Sequence, residues 1–485
     1  MPGFARQAVV LSLSRIANYG LMIISPVILV RILSVGEFGR YREFLLYASL
    51  LQAIASFSIF DSLLYFIPRH PASVWRVLRE TTGLTAIVST LVIAGCFLAD
   101  LLTHGALLGR YRLEVSLYIL LYVNLDFWEP LWLATHRTSW VFFYSAGRLV
   151  GRMLVVVGVA LLTKNVTIII WSLLGFEGLR FAVSGIAWAI LARARDEPPV
   201  ENIRRAQLSF CMPVGVASVL YMISRNLGNL VVTKWIGAAA LAQLTIGTYG
   251  DPIILALRNS VSTAILPELV RRRAQSADAP LLLWQRATLV NCILLFPASL
   301  LLAWFAEPLV LKVFGTGYRP AVPVLQIYAL SIALASFDFS PPLRAINQTR
   351  PLVSSTLAAA VVSGLCLWLL LPIAGLAGAA ITLAISNLTE VISRALSVAR
   401  LYHVSLSRLL PWARSLKVAV CAVMAAIPLC ALTWRLNLGL LGVMLASLLY
   451  AVMFAALLMA SGVDEAVALA RRIRSSIVVA ASGGP

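Results

Sequence analysis

The feature that most constrains this chain is a succession of uninterrupted apolar runs, each about twenty residues long. A run of that length crosses the hydrocarbon core of a bilayer as a helix, because each residue advances ~1.5 Å and every backbone group is satisfied within its own segment. Fourteen runs fall at about 8–31, 44–67, 81–103, 115–135, 141–162, 167–192, 209–233, 239–265, 288–311, 321–345, 352–372, 375–399, 413–434 and 437–461. Strand barrels show ten-residue alternation instead, so the spacing predicts an all-α, polytopic membrane protein. With 60% hydrophobic and 12% charged residues and short connections throughout, no inserted soluble domain is expected. The first run is too long for a signal-peptide core and has no small-residue cleavage pattern behind it, so it is expected to stay in the mature protein.

Orientation follows from the basic residues of the connections. With the N-terminus in the cytoplasm, 21 Lys and Arg lie on the cytoplasmic side and 10 on the other, which places both termini inside. The same sorting explains the net charge of +19, since most of the excess lies beside anionic headgroups. No basic face with stacking aromatics lies outside the membrane, so nucleic acid is not an expected partner. The six cysteines lie inside apolar spans and the four histidines in separate loops, without the spacing of a metal site. No Gly-x-x-x-x-Gly-Lys-Ser/Thr loop occurs, so neither ATP hydrolysis nor a bound cofactor is expected.

Eight arginines nevertheless sit inside the apolar runs: Arg15, Arg148, Arg152, Arg180, Arg225, Arg258, Arg344 and Arg394. Each costs at least ~2.5 kcal/mol at bilayer depth and is retained where it faces a partner or a watery cavity. Seven acids share that depth: Asp61, Asp126, Glu129, Glu177, Asp251, Asp338 and Glu390. Glu177 with Arg180 is an i,i+3 pair and Glu390 with Arg394 an i,i+4 pair, both expected to be structural. Asp126 and Glu129 on span 4 are expected to meet Arg148 and Arg152 on span 5. Arg344, near the cytoplasmic end of span 10, is expected to reach the headgroups. Arg15, Arg225 and Arg258 have no acid three or four residues away on their own helix, and Asp251 lies seven residues before Arg258.

The chain also resembles itself at a shift of about 200–213 residues. Pro130-Leu131 corresponds to Pro342-Leu343, Glu177 and Arg180 to Glu390 and Arg394, and Pro68-Arg69 to Pro267-Glu268. Both halves begin in the cytoplasm, so the repeat is parallel. The expected organisation is an N-lobe over 1–200, a C-lobe over 201–402, and two further helices with a cytoplasmic tail over 403–485. The longer basic linkers 193–208 and 268–287 suit joints between moving bundles.

Certain turns carry a family pattern. Leu29-Val30-Arg31-Ile32-Leu33-Ser34 closes the entry helix and Glu37-Phe38-Gly39-Arg40-Tyr41 opens the next. Span 8 closes on Leu266-Pro267-Glu268-Leu269, and Ala374-Gly375-Leu376-Ala377-Gly378-Ala379-Ala380 opens span 12. Over about residues 5–400 the chain resembles the polysaccharide-transporter (Wzx-like oligosaccharide flippase) branch of the multidrug/oligosaccharidyl-lipid/polysaccharide (MOP) exporter superfamily. The resemblance implies a V-shaped pair of six-helix lobes around a cavity lined mainly by spans 1, 2, 7 and 8. It also implies transfer of undecaprenyl-diphosphate-linked oligosaccharide from the cytoplasmic to the outer leaflet by alternating access, in surface polysaccharide biosynthesis. Lipid II flippases of the same superfamily also commonly carry fourteen helices, so span number does not separate the two.

The chemistry of such a substrate is a diphosphate, a polar glycan and a long apolar tail. Arginine suits the diphosphate because its planar donor fork grips phosphate oxygens and stays charged. Arg15, Arg225 and Arg258, on the spans that the resemblance places at the cavity, are therefore the diphosphate candidates. Asn18, Tyr19, Asn226 and Asn229 are candidates for the sugar hydroxyls. Asp61 and Asp251 are candidates for coupling to H+ or Na+, with the membrane potential as the other energy source. Pro26 and Pro252 are candidate gate hinges. The expected partners are the lipid-linked substrate, membrane lipids and polysaccharide polymerase or export machinery, in the bacterial inner membrane. A cation-drug exporter is disfavoured because span 1 offers Arg15 and no acid. A glycan polymerase or ligase, the alternative of another class, needs a large outer loop bearing catalytic groups, and the outer loops here are short.

Overall fold

A computed structural model describes residues 24–105, 108–135, 137–193, 197–198, 202–273, 279–433 and 439–462. Its helices in chain order are α1 (24–32), α2 (Val35–Ser56), α3 (Leu63–Arg69), α4 (Val74–Leu102), α5 (Arg112–Val123), α6 (Trp128–Ala134), α7 (Thr138–Thr163) and α8 (Val166–Arg193). They continue with α9 (Ile203–Trp235), α10 (Ala238–Gly247), α11 (Asp251–Arg273), α12 (Ala279–Trp304), α13 (Ala306–Leu309), α14 (Ala321–Ile332) and α15 (Ser340–Ala345). The last are α16 (Arg350–Leu401), α17 (Leu406–Leu409), α18 (Trp412–Thr433) and α19 (Leu440–Ala460). No strand occurs among the described residues. Nine described helices are long and apolar enough to cross a membrane, or ten when the bent pair Val35–Ser56 and Phe60–Arg69 counts as one span. The chain is thus an all-α, multi-pass membrane protein.

Four of the expected continuous spans are broken. Span 2 bends by 48° where Phe57 and Ser58 adopt left-handed φ of 40° and 54°. Span 4 divides into α5 and α6 at Asn124–Phe127, with Leu125 left-handed. Span 8 divides into α10 and α11 at Thr248–Gly250, and span 10 into α14 and α15 around Phe337–Phe339. Each break takes only a few residues inside a strongly apolar run, so hydropathy averaged over a whole span passes through it.

Two positions show why particular turns form. Ser34 and Glu37 make a reciprocal capping box at the start of α2, with the Ser34 Oγ accepting from the Glu37 N–H and the Glu37 carboxylate accepting from the Ser34 N–H at 3.1 Å. Gly375 lies inside α16 at φ 53° and ψ −130°, and the chain reverses there. Ser386 Oγ donates to the Ala359 carbonyl at 3.1 Å and Arg394 Nε to Ser355 Oγ at 3.0 Å, contacts that only antiparallel arms allow. Spans 11 and 12 are therefore one hairpin.

Two compact units emerge, 1–242 and 243–485. The repeat-based boundary at 200 lies one span earlier, and α9 packs against α2 and α4 within the first unit. That unit's core includes Phe60, Leu63, Phe66, Val77, Leu78, Phe127 and Ile203. In the second unit, α12, α18 and α19 share a core of Cys292, Val418, Ala422, Val443, Tyr450 and Phe454. The two helices expected as a C-terminal addition thus pack directly on α12. Part of the linker 193–208 is pinned rather than loose: Glu197 accepts from the Trp75 and Arg76 N–H groups at 3.2 and 2.8 Å, capping the start of α4.

Candidate functional site

The breaks gather the charges. In the first unit the end of α5 leaves carbonyls without helical partners, and Arg180 of α8 takes two of them, donating to Leu121 and Tyr122 at 2.9 and 2.7 Å. The same guanidinium donates to Glu177 at 2.8 Å, to Asp126 at 3.2 Å and to the Tyr144 hydroxyl at 3.4 Å. Arg148 of α7 bridges Asp126 at 3.0 Å and Glu129 at 3.1 Å. Three carboxylates and two arginines thus close one network across the break, with Tyr122 and Tyr144 lying under the guanidinium of Arg148. Arg152 does not join these acids as expected. It donates to the Tyr118 hydroxyl at 3.4 Å, one helical turn further along α7 from Arg148.

In the second unit Asp338 occupies the corresponding break. Its carboxylate accepts from the Ser340 N–H at 2.9 Å, opening α15, and from Ser262 Oγ of α11 at 2.6 Å. Trp284 Nε1 donates to its carbonyl at 2.7 Å. Arg258, one turn before Ser262 on α11, lies within electrostatic range of Asp338, and its Nε is buried without a hydrogen-bond partner among the described residues. Asp251 begins α11, where Tyr328 of α14 donates to its carboxylate. Arg394 pairs with Glu390, and Thr356 Oγ1 donates to that carboxylate at 3.0 Å, so this pair ties the two arms of the hairpin together.

The expected site residues divide accordingly. Arg15, Asn18 and Tyr19 lie outside the described residues. Arg225, Asn226 and Asn229 fall on one stretch of α9, where Asn226 Nδ2 donates to the Met222 carbonyl at 2.9 Å and Asn229 Nδ2 to Asn226 Oδ1 at 3.4 Å. Arg225 is half-buried and already engaged. Asp61 is exposed beside the break of span 2. Pro26 lies on α1, and Pro252 lies at the second position of α11, where the missing N–H costs no helix bond. The break itself, not a proline inside a helix, interrupts span 8.

Sequence reasoning placed Asp126 and Asp338 among the intramembrane acids but not at breaks. A signal was present: Asp126-Phe127 and Asp338-Phe339 stand 212 residues apart, each four residues before the repeated Pro-Leu. The tyrosines around Arg148 and Arg152 carried no such mark.

A family described as "Polysaccharide biosynthesis protein" matches residues 136–323. Among solved structures, the lipid II flippase MurJ in an inward closed conformation superposes with a TM-score of 0.69 at 16% identity, covering 93% of this chain and 98% of that one. An inward-facing multidrug resistance MATE family transporter of the MOP superfamily gives a TM-score of 0.52 at 15% identity, over 82% and 98% of the two chains. The Vibrio cholerae MATE transporter VcmN gives 0.51 at 12% identity, over 83% and 97%. No curated protein matches by sequence. The chain shares its fold with these solved structures.

Proposed function

We propose that this chain is a flippase that carries an undecaprenyl-diphosphate-linked oligosaccharide from the cytoplasmic to the outer leaflet by alternating access, for exopolysaccharide or O-antigen assembly. The observation that carries the reading is Arg258: a cation at bilayer depth, beside a broken helix, with a buried donor that no acceptor among the described residues takes. Discontinuous spans at corresponding places in two repeats are where transporters of this general design bind substrate. A guanidinium with spare donors there suits a diphosphate better than a cationic drug. The family match over 136–323, described as polysaccharide biosynthesis, supports a glycan-bearing substrate. Arg225, with Asn226 and Asn229 beside it, and Arg15 complete the proposed substrate set.

Transport rather than catalysis is the reading throughout, and the protein works in the bacterial inner membrane with both termini in the cytoplasm. Moving one net negative charge outward gains ~2.3 kcal/mol per 100 mV, so the membrane potential favours export. Asp61, exposed at the span 2 break, and Asp251, held by Tyr328, are the acids proposed for H+ or Na+ coupling. The second reading is a lipid II flippase, favoured by the superposition on MurJ.

The test replaces Arg15, Arg225 and Arg258 singly with Ala, verifies membrane abundance, and measures surface polysaccharide. Loss of export in these variants supports the assignment, and normal export in all three overturns it. Growth of cells depleted of their lipid II flippase, rescued by this chain, selects the second reading.

A further inference from the structure

We propose that the first unit holds a small monovalent cation, of sodium's class, at the break between α2 and α3, with the amide oxygen of Gln207 as a ligand and Asp61 as the charge-balancing carboxylate. Gln207 of α9 is fully buried together with Ser62 and Thr81. Its Nε2 donates to Thr81 Oγ1 at 2.6 Å and to Ser62 Oγ at 3.4 Å. Both hydroxyls have already committed their single protons, Thr81 to the Val77 carbonyl at 2.7 Å and Ser62 to the Ile59 carbonyl at 2.6 Å. They can only accept from the amide. Turning the amide over would set its oxygen against two lone pairs, so the network itself fixes its orientation. The consequence is that Gln207 Oε1 is buried with no donor among the described residues facing it.

Native interiors rarely leave such an oxygen alone, and an acceptor that no N–H or O–H reaches calls for a cation or a water. The surroundings favour the cation. The hydroxyl oxygens of Ser62 and Thr81 hold the amide nitrogen and leave its oxygen to face outward from them. Phe57 and Ser58 turn left-handed at the end of α2, which ends the helix ladder and frees carbonyls, the donor type that unwound transporter helices offer to Na+. Asp61 is one residue before Ser62, is hydrogen-bonded by Ser58, and acts electrostatically on Cys211, one turn beyond Gln207 on α9. A single carboxylate among neutral oxygens matches one positive charge, whereas divalent ions in protein sites draw on more carboxylates or keep several waters. Cys211 donates its thiol to the Ser58 carbonyl at 3.7 Å and so is not a thiolate ligand for a softer metal.

The inference rests on the function proposed above only through Asp61, and it is tested by binding, without transport. The full chain, purified in detergent, is melted in NaCl, KCl and choline chloride at one ionic strength. Sodium is expected to raise the melting temperature saturably over choline. Gln207→Leu is expected to melt alike in sodium and choline, and Asp61→Asn to need at least about tenfold more sodium for half the rise. Because Gln207→Leu alters a buried site, Gln207→Glu, which keeps the oxygen, serves as the folded companion and is expected to retain the sodium response. Identical melting of the unmodified chain in all three salts would mean that only water fills the site and overturns the proposal. A full sodium response in Gln207→Leu overturns it too, by placing the ion elsewhere. Loss of export in the arginine variants alongside unchanged sodium binding separates this site from the substrate assignment.

Discussion

Arg180 shows, at the scale of a single residue, how a bilayer-depth cation is retained. Five acceptors hold it, and two of them are carbonyls that the end of α5 would otherwise leave unpaired. Arg180→Gln strips the fully buried Glu177 of the one group among the described residues that its side chain bonds, and breaking a buried pair in this way typically costs ~3–5 kcal/mol. A clear drop in melting temperature and in membrane abundance is expected; Arg394→Gln, whose partner Glu390 also holds Thr356 and is partly exposed, is expected to cost less. Outside the membrane, Glu268 lies between Arg271 and Arg272 at 2.8 and 2.7 Å, and these hydrogen bonds hold its carboxyl down at about 2. Because the folded value is below the ordinary one of 4.5, the pairing stabilises the protein above pH ~4.5 and is lost as pH falls toward 2. The difference in melting temperature between the unmodified chain and Glu268→Gln is therefore expected to be constant from pH 8 to 5 and to shrink toward pH 3. The i,i+3 spacing of Glu177 and Arg180 was legible in the sequence, but the four other acceptor residues of Arg180, Leu121 and Tyr122 on α5, Asp126 in the α5–α6 break and Tyr144 on α7, are ones that no local spacing reveals.

Elements broke where the backbone, not hydropathy, decided. Asn124, Asp126 and Asp338 occupy breaks, yet two or three polar residues barely alter the mean of a twenty-residue run, so spans 2, 4, 8 and 10 read as continuous. Gly375 is the reverse case: a glycine between apolar runs was visible as the start of span 12, and its φ of 53° with ψ of −130° is a conformation open essentially to glycine. Gly375→Ala is expected to destabilise the α16 hairpin by ~1–3 kcal/mol, measured as a lower melting temperature. Gly39 is constrained by packing instead, because a Cβ there would stand 2.1 Å from the Ala238 carbonyl oxygen. The family-like turn at Glu37-Phe38-Gly39 thus has two local causes, a capping box and a close helix approach.

For the whole molecule, the two-to-one bias of Lys and Arg predicts which ends of the helices meet the cytoplasm. Cysteines placed at the exposed positions His104 and His403 are expected to differ: the first is labelled by a membrane-impermeant maleimide on sealed spheroplasts, the second only after permeabilisation. The reverse pattern would invert the proposed topology and with it the direction of transport. Length and apolarity of each run determined that the chain crosses the membrane many times as helices, since a bilayer tolerates no unpaired backbone and the requirement is met segment by segment. The parallel repeat is read from order along the chain alone. Tertiary structure alone decided where helices break, that Arg152 turns to Tyr118 rather than to Asp126 or Glu129, and that Gln207 is left with an unsatisfied oxygen. Those outcomes depend on which donors and acceptors from distant segments reach one another, and hydrogen bonds of that kind leave no period in a sequence.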